Sequence, residues 1–315
     1  MRGRSLISRR HAVLGGLCLC CARGLTRGTD EHDPLQTTEV APGIHIRRGA
    51  DEIASVQNHD AIANVGFVVG RESVAVLDSG GSLMDGERLR RRIRDVTDLP
   101  IRYVLMSHVH PDHIFGAGAF LESKPAFVGH AQLPQALAQR GEYYRGRLEE
   151  VIGKGNAGPI VQPTLLVKDR TTIDLGGRSL ELKAHAVAHT SNDLSVFDSQ
   201  TRTLFPSDLL FVGRIPSLDG SLKGWLQELS LLGSMNAKHA VPGHGPANVD
   251  FASAAGKLRM YLETLLRETR QAIAKGVDIE AAAQTVAQSQ SKHWTLFDEY
   301  HGHNVMQAYK ELEWE

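Results

Sequence analysis

The run Ser107-His108-Val109-His110-Pro111-Asp112-His113 places four nitrogen or carboxylate donors within six positions. An apolar stretch over residues 101–106 precedes it, which reads as a strand ending in a turn. Side chains at i and i+2 of an extended segment project the same way, so His108 and His110 can grip one ion. The kink at Pro111 then turns Asp112 and His113 toward a second ion close by. Imidazole and carboxylate donors without thiolate suit zinc first, with iron or manganese as substitutes. The alternative is a solvated histidine-rich loop.

Further donors follow at the ends of apolar runs. Ala188-His189-Thr190-Ser191-Asn192-Asp193 precedes the run 194–197, Phe205-Pro206-Ser207-Asp208 closes another, and Val241-Pro242-Gly243-His244-Gly245 forms a third ligand-type turn. His185 lies four residues before His189 and competes for the same role. Asp208, taken alone, reads as a turn or cap residue. In this order the motifs resemble the metallo-beta-lactamase superfamily of binuclear hydrolases: HxHxDH, then a His, a bridging Asp, and a His in a GHG turn. The resemblance covers residues 40–250. It implies one ion held by His108, His110 and His189, another by Asp112, His113 and His244, and Asp208 bridging the two. It also favours His189 over His185, because Thr190 and Asp193 match the family's His-Thr-x-x-Asp run. Ser191-Asn192 stand where that family more often has Pro-Gly.

Charge and cysteine usage narrow the compartment. Net charge is only −1, but six arginines precede the first acidic residue, Asp30. The remainder is mildly acidic, which gives no electrostatic case for nucleic acid. Ser8-Arg9-Arg10-His11-Ala12-Val13-Leu14 resembles a twin-arginine motif, and residues 12–21 form an apolar stretch too short to span a bilayer. Residues 1–29 therefore read as an export signal to a bacterial periplasm, with an uncleaved anchor or a basic tail as alternatives. The three cysteines, Cys18, Cys20 and Cys21, all lie there. A mature chain then has no membrane span, no disulfide, no cysteine nucleophile and no thiolate ligand.

The rest of the chain alternates strand-like and helical stretches. Residues 30–42 read as a polar linker, and 44–47, 64–69, 73–77, 101–106 and 126–129 as strands, with helices over 85–96 and 116–121. A second series, 164–167, 171–174, 179–183, 194–197 and 203–205, reads as a meander, followed by a helix over 222–232 and a strand over 238–241. One sheet from each half, with helices outside, is the layering this order favours. It is also the αββα sandwich that the resemblance implies, with a catalytic domain over 30–250. Residues 251–275 and 279–288 are helix-periodic, so 251–315 reads as a helical extension packed on the domain. His301 and His303 reach the site or, as the blander reading, belong to a capping segment.

The resemblance implies a metal-dependent hydrolase acting on a small molecule. A hydroxide shared by two zinc ions would attack an ester, thioester, lactone or lactam carbonyl, with Asp112 orienting it. Asp78 is a candidate hydrogen-bond partner for a ligand histidine or else a simple turn residue. Tyr143, Tyr144, His130, Lys154 and Lys223 are candidate substrate contacts. Asp208 in place of a cysteine argues against the cysteine-containing class of true beta-lactamases and resembles glyoxalase II and lactonase-type sites instead, with a beta-lactamase proper kept as an alternative. The tail, with segments 127–130 and 220–226, is similar to the quinoprotein relay system zinc metallohydrolases, a periplasmic subgroup that includes SoxH-like proteins. That likeness implies a link to quinoprotein dehydrogenases that use pyrroloquinoline quinone. The rivals are a di-iron redox centre, which would need a flavin partner, and a non-catalytic cofactor-binding module.

Overall fold

The computed structural model describes residues 35–315, so the arginine-rich segment and its cysteines lie outside the described residues. Two sheets form the centre. In the first, β1 (Thr38–Ala41), β2 (Ile44–Arg47), β3 (Val65–Val69) and β4 (Val74–Leu77) run antiparallel. β5 (Ile101–Met106), β6 (Ala126–His130) and β7 (Leu165–Val167) then continue it in parallel from β4. In the second, β8 (Arg170–Asp174), β9 (Ser179–Ala184), β10 (Leu194–Asp198) and β11 (Thr203–Phe211) are antiparallel, and β12 (His239–His244) joins β11 in parallel.

Period-2 alternation of apolar residues on both faces explains why the first sheet is covered on both sides. Val65, Phe67, Val74, Val76, Val104 and Met106 face Leu89 and Ile93 of helix α1 (Leu83–Val96). Their neighbours Val68, Ala75, Leu77 and Leu105 point the other way, onto Leu180, Leu182, Leu194 and Val196 of the second sheet. The outer face of the second sheet buries Leu204, Leu209 and Phe211 against later helices. The result is an αββα sandwich with C-terminal helices, the architecture expected from the element order.

Helix α2 (Pro111–Ile114) is a single turn that begins at the proline, with Pro in the first-turn position where no N–H is needed. It leads into a 3-10 helix over Phe115–Ser123. After it come α3 (Leu133–Ile152) and, beyond β11, α4 (Leu222–Gly233), whose N-terminus is capped by the Ser221 hydroxyl accepting from the Gly224 amide at 2.9 Å. The C-terminal part comprises α5 (Phe251–Ala274), α6 (Ile279–Thr285), a 3-10 helix over Gln288–His293 and α7 (Phe297–Leu312). None of the described helices is long and apolar enough to cross a membrane.

Several elements differ from the sequence reading. Residues 38–41 are a strand rather than linker, because β1 pairs with β2 across a two-residue turn through Gly43 at φ +70°. Residues 164–167 belong to the first sheet and not to the meander, since a short apolar run carries no record of its partner. Residues 116–121 form 3-10 geometry rather than a regular helix. β11 does not stop at Phe205 but continues through Pro206 to Phe211, with register breaks on either side of Ser207. Pro206 has no amide to donate to the ladder, so the strand survives by bulging, with Ser207 at φ +49°.

Leu182 is 1% exposed between the sheets, so Leu182→Ala should lower unfolding free energy by about 2–5 kcal/mol in urea titrations. Leu231, 49% exposed on α4, should change it by less than about 0.5 kcal/mol when replaced by Ala.

Candidate metal centre

The strand ends place seven donors in one spot at the edge of the sandwich. The loop after β5 brings His108, His110, Asp112 and His113, the loop before β10 brings His189, the β11 bulge turns Asp208 inward, and β12 ends on His244. Nε2 of His108 and Nε2 of His189 each lie 3.0 Å from Nδ1 of His110. Asp208 Oδ2 faces the same group, 3.7 Å from His108 and 3.4 Å from His189. Its Oδ1 faces the other group, 3.1 Å from His113 Nε2 and 3.5 Å from His244 Nε2. Asp112 Oδ2 completes that group at 3.2 Å from His244 Nε2. One carboxylate thus divides its two oxygens between two donor sets, His108-His110-His189 and Asp112-His113-His244.

This closeness has a backbone cause. A Cβ on Gly243 would come within 1.8 Å of Asp208 Oδ1, so the residue before His244 must be glycine for Asp208 to sit between the sets.

Every ligand-type histidine is fixed by its second nitrogen. His108 Nδ1 is 2.9 Å from Ser107 Oγ, His110 Nε2 2.8 Å from Asp219 Oδ2, and His113 Nδ1 2.8 Å from Asp78 Oδ2. His189 Nδ1 is 2.6 Å from the Ser217 carbonyl and His244 Nδ1 3.0 Å from the Ile62 carbonyl. A carbonyl or carboxylate on one ring nitrogen holds the proton there and leaves the other nitrogen's lone pair aimed at the centre.

The electrostatics describe a cage that wants a cation. Burial pushes His189 down to about 4 and His108 well below the usual imidazole range, keeping both neutral. Burial opposes charge on His113 as well, yet Asp208, Asp112 and Asp78 overcome it and hold its imidazolium well above that range. The same exchange, against burial, holds Asp112 and Asp208 below the carboxylate range. His113 Nε2 and Asp208 Oδ1 nevertheless have no hydrogen-bond partner. Orphaned polar atoms converging at these separations fit small divalent ions, since tetrahedral zinc sites hold nitrogen donors about 3.3 Å apart.

A cavity of about 350 Å³ opens onto His110, Asp112, Asp208 and His244. Tyr144, Leu148 and Val151 of α3 form one wall, and Ile215 and Tyr300 another.

The family model for the metallo-beta-lactamase superfamily matches residues 60–244. The chain belongs to the metallo-beta-lactamase superfamily. Among curated relatives it is similar to a linear primary-alkylsulfatase from Pseudomonas sp., 22% identical over 64% of this chain and 44% of that protein. It is also similar to the acyl-coenzyme A thioesterase MBLAC2 of Bos taurus, 29% identical over 52% of this chain and 61% of that protein. The chain thus spans about half the length of these relatives. Among solved structures, a metallo-beta-lactamase from Pontibacter korlensis superposes with a TM-score of 0.60 at 20% identity, covering 73% of this chain and 99% of that one. The sec-alkylsulfatase Pisa1 from Pseudomonas sp. gives 0.66 at 17% identity, covering 88% of this chain and 50% of that one. At these identities the two structures speak to the fold.

All seven residues expected as ligands in this superfamily member come together. His185 stays apart, its nitrogens bonded to Glu228 at 2.6 Å and Ser195 at 2.7 Å. Asp193 holds the His189 loop by accepting from the Thr190 amide and hydroxyl. Asp78 does both things proposed for it: it turns the chain at φ +54° and accepts from Ser107 as well as holding His113. Of the five candidate substrate contacts only Tyr144 lines the cavity. Tyr143 is exposed, Lys223 pairs with Glu315, and His130 accepts from the Gln132 amide, while Lys154 is exposed on the turn after α3. His301 is packed against Phe297 and bonded to Tyr261, whereas His303 reaches Asp219 at 2.9 Å and so stands one residue from His110.

Sequence reasoning missed Asp219, Ser217 and Arg214. They carry no motif, and their roles arise because the loop after β11 folds back over the donor set.

Gly243→Ala should displace Asp208 and weaken divalent-metal binding, measured by chelator competition, by at least about tenfold, the scale of losing a ligand-orienting contact. Gly302→Ala, whose added Cβ meets nothing within 4 Å, should leave affinity unchanged.

Proposed function

We propose that this protein is a binuclear metal-dependent hydrolase of small esters, thioesters, lactones or sulfate esters. The observation that carries the reading is the division of the Asp208 carboxylate between two histidine sets on the floor of an open cavity. His108, His110 and His189 would hold one cation and Asp112, His113 and His244 the other, with zinc first by donor type. Such a pair supplies Lewis acidity that activates water near neutral pH and polarises the bond to be cut.

The chain's own groups do the rest. Asp112 lies at the cavity floor, where its carboxylate can orient an attacking water. Asp219 and Asp78 keep His110 and His113 in the tautomers that face the centre. Buried Phe211, Ile215 and Leu148 give the cavity apolar lining that disfavours bulk water. No cysteine stands among the described residues, so attack by a protein thiolate is not available here. The relatives named as an acyl-coenzyme A thioesterase and an alkylsulfatase support hydrolysis, and Asp208 in a position where the cysteine-containing class of true beta-lactamases carries cysteine supports a substrate other than a lactam. A periplasmic place beside quinoprotein dehydrogenases rests on the twin-arginine-like start and the tail, and gives the substrate a cell-envelope source.

The test is metal analysis beside a substrate panel of octanoyl-coenzyme A, octyl sulfate, p-nitrophenyl esters and an acyl lactone. Two zinc ions per chain and turnover of at least one substrate are expected. Asp208→Ala and His110→Ala should abolish turnover and lower stoichiometry, whereas His301→Ala should change neither per folded molecule. Full metal content in Asp208→Ala would overturn the bridging role.

A further inference from the structure

A second cavity, of about 380 Å³, lies on the far side of Phe211 from the metal-type centre and is lined by none of the seven donors. Phe211 is the wall the two cavities share, and its ring stacks on His244 with centres 4.9 Å apart. Helix α5 supplies Ala254, Lys257 and Met260 at three-residue spacing, so that successive side chains are neighbours on the helix. The 3-10 helix over Gln288–His293 supplies Gln290, and Trp294 follows at its end.

The walls are held in place without help from a ligand. Trp294 meets the ring of Tyr261 edge-on, with centres 5.7 Å apart. The next residue ties this segment to the end of β11: the Thr295 amide donates to the Gly213 carbonyl at 2.8 Å, and the Ile215 amide to the Thr295 carbonyl at 3.0 Å.

Polar groups are left over around this apolar space. Trp294 is 7% exposed, and its indole N–H, which can only donate, has no partner. Gln290 is 8% exposed; its backbone amide bonds the Ala287 carbonyl, but its side-chain amide makes no hydrogen bond among the described residues. Buried groups of this kind are normally paired. Lys257 likewise forms no ion pair among the described residues, and no aspartate or glutamate lines the cavity. Mostly apolar walls with a few convergent polar groups are the make-up of a small-molecule site. An ammonium, an indole N–H and an amide NH2 are all donors, so the matching ligand carries an anionic acceptor. Two aromatic rings and a thioether favour a flat ring for its apolar part.

We propose that this cavity is a second small-molecule site, distinct from the metal centre, that binds a planar aromatic carboxylate. The ring lies against Phe211, Met260 and Trp294, and the carboxylate faces Lys257 and the amide of Gln290. Occupancy requires no reaction at the metal centre, so the proposal stands apart from the hydrolytic reading.

Titration calorimetry of the zinc-loaded protein with 2-naphthoate and 2-naphthamide, similar in size and differing in charge, tests it. The naphthoate should bind with a dissociation constant below about 1 mM, and at least about threefold tighter than the amide, the scale of a partly solvated ion pair. A carboxylate can also bind a metal ion, so two variants decide where the probe sits. Lys257→Gln should erase the preference for the naphthoate. Ala254→Phe, which puts a ring into the cavity, should weaken both probes at least about tenfold and leave the zinc content unchanged. The proposal is overturned by absence of binding, by equal binding of the two probes to the wild type, by a preference that survives Lys257→Gln, or by affinities unchanged in Ala254→Phe. Lys257 is exposed, so its variant carries the test alone should Ala254→Phe not fold. Turnover plays no part in these readings, and either outcome leaves the hydrolytic reading to its own test.

Discussion

The Asp208 carboxylate is the point on which the rest of the site turns. Its two oxygens face two donor sets that share the loop after β5 and are completed by His189 and His244, and it can do so only because three local conditions meet. Pro206 breaks the β11 ladder, Ser207 takes a left-handed conformation, and Gly243 leaves no Cβ in the way. Each condition is a backbone fact, and each would otherwise weaken a strand. A buried carboxylate among neutral and charged histidines is itself costly in a low-dielectric interior. That cost is tolerated where a cation offsets it, which ties the irregular backbone of β11 and β12 to the chemistry of the centre.

Around this point the supports come from far away in sequence. The loop between β11 and α4 carries Arg214 to the cavity, the Ser217 carbonyl to His189 and Asp219 to His110. Helix α7 holds that loop in place: Asn304 accepts from the Leu218 amide and donates to the Pro216 carbonyl, His303 meets Asp219, and Glu311 accepts from the Leu222 amide at the start of α4. Opposed by burial but held by hydrogen bonds from His110 and His303, the Asp219 carboxyl stays well below the usual carboxylate range. The C-terminal helices are therefore part of the wall and bracing of the site, not only a cover for the outer face of the second sheet.

What could be read from the sequence follows what sequence patterns encode. Ligand-type residues at strand ends, in an order matching a known family, were enough to assemble all seven donors, and the order of strand-like and helical runs was enough to predict two stacked sheets. The pairing of residues 164–167 with β6 was not legible, because an apolar triplet looks the same beside any strand. The continuation of β11 past Pro206 was hidden for a related reason: proline reads as a strand end, and only the bulge shows how the ladder goes on. Asp219, Ser217 and Arg214 were out of reach because their partners lie up to 109 residues away and their own neighbourhood reads as an ordinary loop. His301 and His303 illustrate the same limit within one helix. Two residues apart, one turns into the helical core and the other toward the metal-type cluster, and nothing in their spacing says which.

Anomalous diffraction from crystals of the zinc-loaded protein shows directly whether the Asp208 carboxylate spans two cations. The predicted result is two peaks about 3.5–4 Å apart, the spacing of paired hydrolytic ions, one against His108, His110 and His189, the other against Asp112, His113 and His244, with an oxygen of Asp208 on each. A single fully occupied peak, or a second ion away from Asp208, would contradict it.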